Sequence, residues 1–411
     1  MSVKTSTAAN TDHTPPAYLD TATLLLMAVA CGLCAGGNYF NQPLLRSMAV
    51  SLQVSESTAA LTVTAAQVAY ACGLLFIVPL GDKLKRRRLT IGLMLLAALG
   101  QFVSGFATDI TMLLIGTSIA GLFSVAAQVL VPMAATLSRP QHAGRAVGLV
   151  MSGLLTGILL ARSIAGLLSG LGGWPTVYRV SGIVMVAIAL ALWRVLPESH
   201  NKQSPSYLHV LASMLTLLRK QPRLRTRSLL GGLSFASVSA LFSTMALLLS
   251  GPNYQMGDAG IGLIGLVGAA GAMMAGFAGR LADKGRGQTV TTACTAVLLA
   301  SWGLLWLGND SLGWFIAGML FIDLALQGVH ISNQAIVYGL EPQARSRVNA
   351  VYMTSYFIGG ASGSALGALA WHYGDWPATC GLGALLALAT AAALWRDQAV
   401  ARRACARAAQ Q

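Results

Sequence analysis

Between Thr21 and Arg396 nearly all charges of this chain are gathered into short clusters, and the clusters are separated by uncharged, apolar runs. Each run is about 20 residues long, which as a helix spans the ~30 Å of bilayer hydrocarbon. In hydrocarbon every backbone N–H and C=O must be satisfied within the chain, so such runs must be helical. Twelve can be counted, at approximately 21–40, 58–80, 90–108, 111–135, 147–170, 178–197, 228–250, 260–278, 288–308, 312–334, 348–371 and 378–396. The pattern predicts an all-α polytopic membrane protein, and 55% hydrophobic against 10% charged residues agrees with it. Many of the 45 glycines fall inside the runs, where they weaken a helix in water but allow close helix contacts in lipid. The first run is longer than a signal-peptide core and has no clear cleavage site, so a retained first helix is expected. Tryptophans near run ends, among them Trp174, Trp193, Trp306, Trp314, Trp371 and Trp395, are expected in interfacial belts.

The densest charge cluster is GDKLKRRR, Gly81 to Arg88, and a weaker copy, GRLADKGR, runs from Gly279 to Arg286. Neither can lie in lipid, so both are loops at a membrane face. If both termini are cytoplasmic, 24 of the 27 basic residues fall on the inside, Arg46 and Arg179 fall outside, and Arg162 lies within a helix. This bias places the protein in a cell membrane, inner or plasma, with cytoplasmic ends, and the net charge of +14 then reports orientation and contact with lipid, not nucleic-acid binding. Cys31, Cys34, Cys72, Cys294 and Cys380 sit inside expected helices and Cys405 in the tail, with no ligand cluster around them. No metal, no cofactor, no nucleotide-binding loop and no catalytic constellation is expected, which excludes an ATP-driven pump and an enzyme.

The chain repeats itself. Asp82 and Asp283 are 201 residues apart, and at an offset of 202 Trp174-Pro175 recurs as Trp376-Pro377, Arg145 as Arg347 and Gly157 as Gly359. Two halves of like design follow. The expected division is a tail over 1–20, six helices over 21–197, a connector over 198–227, six helices over 228–397 and a tail over 398–411. Within the connector Tyr207 to Leu218 reads as an amphipathic surface helix, with Lys220, Arg223 and Arg225 near headgroups.

Two six-helix halves with such a loop after the second helix resemble the major facilitator superfamily of secondary transporters, over essentially the whole chain. The family's loop pattern, Gly-x-x-x-Asp-Arg/Lys-x-Gly-Arg-Arg/Lys, is matched at Asp82, Lys83, Arg86 and Arg87, with Val78 and Lys85 in place of its glycines. The second copy matches at Gly279, Asp283, Lys284 and Arg286, with Gly285 shifted by one. The resemblance implies a cytoplasmic latch in which Asp82 faces the helix beginning near Arg347 and Arg86 is its ion partner. The fifth helix is similar to the family's proton-exchanging exporters, Gly-x8-Gly-x3-Gly-Pro-x2-Gly-Gly. Here Gly148, Gly157, Ala161, Arg162, Ala165 and Gly166 stand at those positions, so spacing and small size are kept while arginine replaces proline. Asn38 to Leu45, NYFNQPLL, is similar to the helix-one end of small bacterial drug and sugar efflux proteins. The resemblance implies twelve transmembrane helices in two pseudo-symmetric bundles and a cavity lined by helices one, four, seven and ten.

Two charges inside the runs need interior surroundings whatever the family, because each costs roughly 2.5–3.5 kcal/mol at the centre of a lipid-facing helix. These are Asp323 in the tenth run and Arg162 in the fifth. Gln327, His330 and Gln334 follow Asp323 at i+4, i+7 and i+11 on one helix face, with Asn333 close to it. Asn38, Asn41 and Gln42 form a patch on the first helix, Gln67 and Tyr70 on the second, and Gln128 stands in the fourth. These residues are expected to line a substrate cavity. A carboxyl that alternates between isolation and a guanidinium neighbour can load and release a proton, so Asp323 with Arg162 is read as the proton-coupling pair. A permanent structural pair is the competing reading. His330 either relays the proton or is simply hydrogen-bonded. The expected function is proton-coupled export of a small organic compound, functional as a monomer, whose partners are substrate, protons and the lipid bilayer. Import by proton symport or facilitation of a sugar or organic acid is the alternative, with Arg162 as anchor for an anion. A non-transporting sensor has no reason to keep charge at the midplane. With Asp323 the single cavity acid, a neutral, zwitterionic or anionic substrate fits better than a polycation.

Overall fold

The computed structural model describes residues 19–139, 142–198, 207–268, 281, 285–340 and 345–408. Gly279, Asp283 and Lys284 lie outside the described residues, as does the side chain of Asp82. No strand occurs among the described residues. The helices are α1 (Thr21–Gly36), α2 (Leu45–Leu52), α3 (Glu56–Phe76), α4 (Arg86–Gly105), α5 (Ile110–Phe123), α6 (Ala126–Leu137), α7 (Ala143–Gly172), α8 (Trp174–Val195), α9 (Tyr207–Lys220), α10 (Pro222–Ser250), α11 (Asp258–Ile264), α12 (Gly287–Leu307), α13 (Leu312–Leu340) and α14 (Arg345–Ala408). Helix starts carry their own acceptors: Asp20, Ser55 and Asp109 accept from the backbone N–H of Thr23, Thr58 and Met112. The hydrogen bonds from Thr23 also hold the exposed Asp20 carboxyl below its ordinary range.

Ten helical stretches among the described residues are long and apolar enough to cross a membrane, so this is an all-helical multi-pass architecture. The count differs from twelve runs for two reasons. Of the run over 260–278 only the short apolar piece Asp258–Gly268 is described, and the last two runs form one helical stretch. That stretch is broken inside α14, where Gly374 and Asp375 leave helical geometry just before Trp376 and Pro377. Asp375 has a φ of 49°, a region that favours glycine, and Gly173 at the matching place before Trp174-Pro175 has a φ of 76°. The chain therefore turns at two points 202 residues apart. Trp174 and Trp376 differ from an interfacial belt: both are buried, and Trp376 Nε1 donates to the Leu305 carbonyl at 2.9 Å. Trp193, Trp306, Trp314 and Trp395 are exposed.

α1 packs on α7, α4 on α5 and α8, α3 on α5, α10 on α14 and α12 on α13. α3 also lies along α14, and α7 along α11. The α1–α7 crossing puts Gly157 against the Gly32 backbone, and the α10–α14 crossing puts Gly359 against the Gly232 backbone. A side chain at either site would overlap the facing main chain, so these glycines set helix separation.

Gly157→Ala and Gly359→Ala are each expected to destabilise by about 1–3 kcal/mol through overpacking. Gly148, with open space beside it, should tolerate alanine without change. Thermal midpoints of the purified variants check this, and equal midpoints for all three would mean that the crossings relax freely.

Candidate functional site

The first apolar run does not continue as a regular α-helix. After Gly36 it passes through two 3-10 turns, Gly37–Tyr39 and Gln42–Leu44, before α2 begins. Pro43 has no N–H to give to an α-helical ladder, and irregular backbone at this depth is tolerated where it faces a protein interior. The turns present Asn38 and Tyr39 to a central cavity and send Gln42 toward α7, where its Oε1 accepts from Arg162 Nε at 2.6 Å.

Arg162 is 6% exposed and its guanidinium carbon lies 3.8 Å from the Phe242 ring centroid on α10 and 5.3 Å from that of Tyr39. Nε is thus fixed and the planar head held against aromatic faces, as guanidinium groups allow. Asp323 on α13 is 7% exposed, its Oδ2 is buried without a hydrogen bond, and neither oxygen has a partner among the described residues. The two charges interact through space, but no nitrogen–oxygen contact of 4.0 Å or less joins them. Both rest on one 3-10 segment, Gly265–Gly268: a Cβ at Gly265 would come within 3.0 Å of Arg162 Cβ, and one at Gly268 within 2.6 Å of Asp323 Oδ2. Glycine at both positions makes room for the two charged side chains.

Arg162 and Asp323 line a cavity of about 280 Å³ together with Asn38, Tyr70, Gln128, Gln327, His330 and Gln334, with Phe235, Tyr356 and Phe357 as aromatic wall. Gln128 Nε2 donates to Tyr70 Oη at 3.2 Å. His330 Nδ1 is 3.2 Å from Tyr352 Oη, and its ring lies 4.6 Å from that of Tyr356. Four candidates sit elsewhere. Asn41 Nδ2 donates to Thr62 Oγ1, Gln42 serves Arg162, and Gln67 bridges α3 to Ser239 on α10 at 3.4 Å. Asn333, expected near the cavity stripe, is fully buried and accepts from Arg227 Nη1 at 2.9 Å. Ten residues at about 100° each leave it roughly 80° away from Asp323, whereas Gln327, His330 and Gln334 return to within about 40°.

Arg227 belongs to a network that sequence reading misses. Its Nη2 donates to Asp397 Oδ2 at 2.6 Å and also to Gln288 Oε1, and both ion-pair partners are fully buried. The signal was hidden because both charges sit at run boundaries, which read as interfacial. α10 begins at Pro222, a favoured first position, and so carries Arg227 into the protein.

On the side of the GDKLKRRR loop Gln128, Tyr338, Asn349 and Met353 also line a crevice of about 460 Å³, together with Val78, Arg86 and Arg347. In the loop Arg86 donates to the Gly81 carbonyl at 3.2 Å and to Thr136 Oγ1 at 3.3 Å. Arg87 lies 4.9 Å over Trp193, while Lys85 and Arg88 reach Glu198 at 3.7 and 3.5 Å. Those three bases therefore hold the loop to the end of α8. Lys83 and Arg286 are exposed.

At the opposite end Asp258, at the start of α11, ties that helix to α2 and α7. Ser47 Oγ stands 2.7 and 2.6 Å from its two oxygens, and Ser169 Oγ donates to Oδ2 at 2.6 Å. Ser163 Oγ donates to the Gly262 carbonyl at 2.8 Å, and Arg46 donates to the Ser250 carbonyl. The small residues of α7 divide between two partners. Gly157 and Ala161 adjoin α1, whereas Gly166 lets α11 approach at Asp258. Ala165 is buried, and Gly148 faces open space.

The family model of the Major Facilitator Superfamily matches residues 27–363. A putative uncharacterized transporter, YgaY, of Escherichia coli (strain K12) is 49% identical over 382 residues, covering 93% of this chain and 97% of that protein. A probable transporter of Streptomyces coelicolor, SCO4007, is 31% identical over 367 residues, covering 89% and 85%. Among solved structures, the nucleoside transporter NupG superposes with a TM-score of 0.73 at 14% identity, covering 92% of this chain and 98% of that one.

Hydrogen bonds to a charged carboxylate contribute roughly 1.5–3 kcal/mol each, so loss of the Asp258 contacts shifts a two-state equilibrium by about tenfold or more. Asp258→Ala should therefore raise labelling of an Asn38→Cys reporter, in a chain otherwise free of cysteine, by an impermeant maleimide added on the Asp258 side. Unchanged labelling would mean that this end is held by other contacts.

Proposed function

Because the chain belongs to the major facilitator superfamily and is a multi-pass membrane transporter, we propose that it exports a small organic compound in exchange for protons by alternating access. The reading has twelve helices in two six-helix halves, both termini in the cytoplasm of a bacterial-type inner membrane, and a monomer as the working unit. The break at Gly374–Asp375 and the apolar start at Asp258–Gly268 support twelve, and the 24 basic residues on one side support the orientation.

The observation that carries the proton role is Asp323, a carboxyl buried beside the cavity without a hydrogen-bond partner among the described residues and within electrostatic reach of Arg162. Such a group must be compensated by a proton or a bound cation, because an isolated buried charge costs far more than a paired one. The absence of a direct contact argues against the alternative of a permanent Asp323–Arg162 strut. His330, hydrogen-bonded to Tyr352, serves better as a fixed cavity wall than as a relay. The crevice beside the basic loop, which shares four lining residues with the cavity, and the contacts of Asp258 at the opposite end support an inward-facing state awaiting cargo. Release on the other side requires the Asp258 contacts to part and the GDKLKRRR side to close, with Asp82, Arg86 and the start of α14 at Arg347 as the latch. The small-residue pattern of α7, similar to that of the family's proton-exchanging exporters, supports export.

Asp323→Asn is expected to abolish substrate movement driven by a pH gradient in inverted vesicles. A gradient response equal to that of the native protein would remove the proton role from Asp323.

A further inference from the structure

We propose that the cargo is a small zwitterion of the amino-acid type, with its anionic group held by the terminal nitrogens of Arg162 and its ammonium by Asp323. This rests on the transport reading above and adds the substrate class.

Arg162 and Asp323 are opposite charges lining one cavity, each more than nine-tenths buried, and they do not bond to each other. Two such groups in a low-dielectric space would normally collapse into a bidentate pair. Here they are kept apart. Gln42 takes Arg162 Nε, Phe242 lies against the guanidinium face, and the stem packs on Gly265, so the head is oriented and Nη1 and Nη2 have no protein acceptor among the described residues. Asp323 is seated at Gly268, one 3-10 turn further along the same segment, a rise of about 6 Å. A ligand that brings an anion to the first site and a cation to the second satisfies both, and leaves no buried charge uncompensated.

The neighbouring chemistry narrows the class. Arg162 without a ligand anion is poorly compensated, which disfavours an organic cation alone. Asp323 without a ligand cation must take a proton, which disfavours an organic anion alone. A neutral sugar would leave both charges unmatched. The aromatic wall of Phe235, Tyr356 and Phe357 suits an apolar side chain on the zwitterion. Competition between ammonium and proton for the same carboxylate would give exchange of one for the other without further machinery.

The test uses purified full-length protein in detergent and ligand-induced thermal stabilisation, which needs no transport. For each of the leucine, phenylalanine and glutamine skeletons four probes are compared: the free amino acid, its N-acetyl acid, its amide and its N-acetyl amide. The expected result is that, on at least one skeleton, the free amino acid binds at least about tenfold more tightly than any of the other three. Arg162→Gln should then abolish discrimination against the amide, and Asp323→Asn discrimination against the N-acetyl acid. A singly charged or neutral probe binding as tightly as the free amino acid, or no stabilisation by any amino acid, overturns the proposal. Both results leave proton-coupled export to a proton-flux measurement on the native protein, so failure of the substrate class and failure of the transport reading are distinguishable. The comparison in the native protein stands even if a variant does not fold.

Discussion

Hydrocarbon supplies no hydrogen-bond partner, and most of this architecture follows from that. Backbone groups turn inward into helices, side-chain polarity is driven to the interior, and helices must find attraction in close contact, since lipid is as apolar as leucine. Gly157 against Gly32 and Gly359 against Gly232 are the outcome in the two halves: main chain packs on main chain where any side chain would intervene. The charges that remain inside are accounted for individually. Arg227 has Asp397, Gln288 and Asn333; Arg162 has Gln42 and the face of Phe242. Asp323 has none of these and is for that reason the informative residue.

Apolar run length and basic-residue placement were enough to foresee helices and their approximate ends, because both reflect one-dimensional constraints. Four residue pairs mark the repeat in the sequence, and the close glycine contacts at Gly157 and Gly359 and the left-handed turns of Gly173 and Asp375 stand at the same offset of 202 residues. Tertiary partners were not legible. Trp174 reads as an interfacial tryptophan from its position at a run end, yet it is buried between helices. Arg227 and Asp397 are separated by 170 residues, and nothing local marks either as the other's partner. The face of α13 was readable from helical periodicity at Gln327, His330 and Gln334, and the same geometry explains why Asn333 turns away. Asp258 escaped notice because a single acid in a short loop is ordinary until Ser47 and Ser169 are seen to converge on it.

The site joins these levels. Glycines at 265 and 268 give the side chains of Arg162 and Asp323 their places, Gln42 and Phe242 orient the guanidinium, and the break after Gly36 delivers Gln42. Asp258 ties one end of the protein, and a crevice lies beside the basic loop. In the proposed exchange the Asp323 carboxyl changes its charge state with its occupant, which is the minimum an exchanger requires.

The central claim, that proton and cargo replace one another, is tested most directly by proton flux. Protein would be reconstituted into liposomes holding a pH dye, and a compound to which overexpression gives growth resistance would be added outside. Exchange predicts that cargo entry expels trapped protons and the lumen becomes more alkaline, while a lumen that acidifies, or does not respond during cargo entry, would contradict the account.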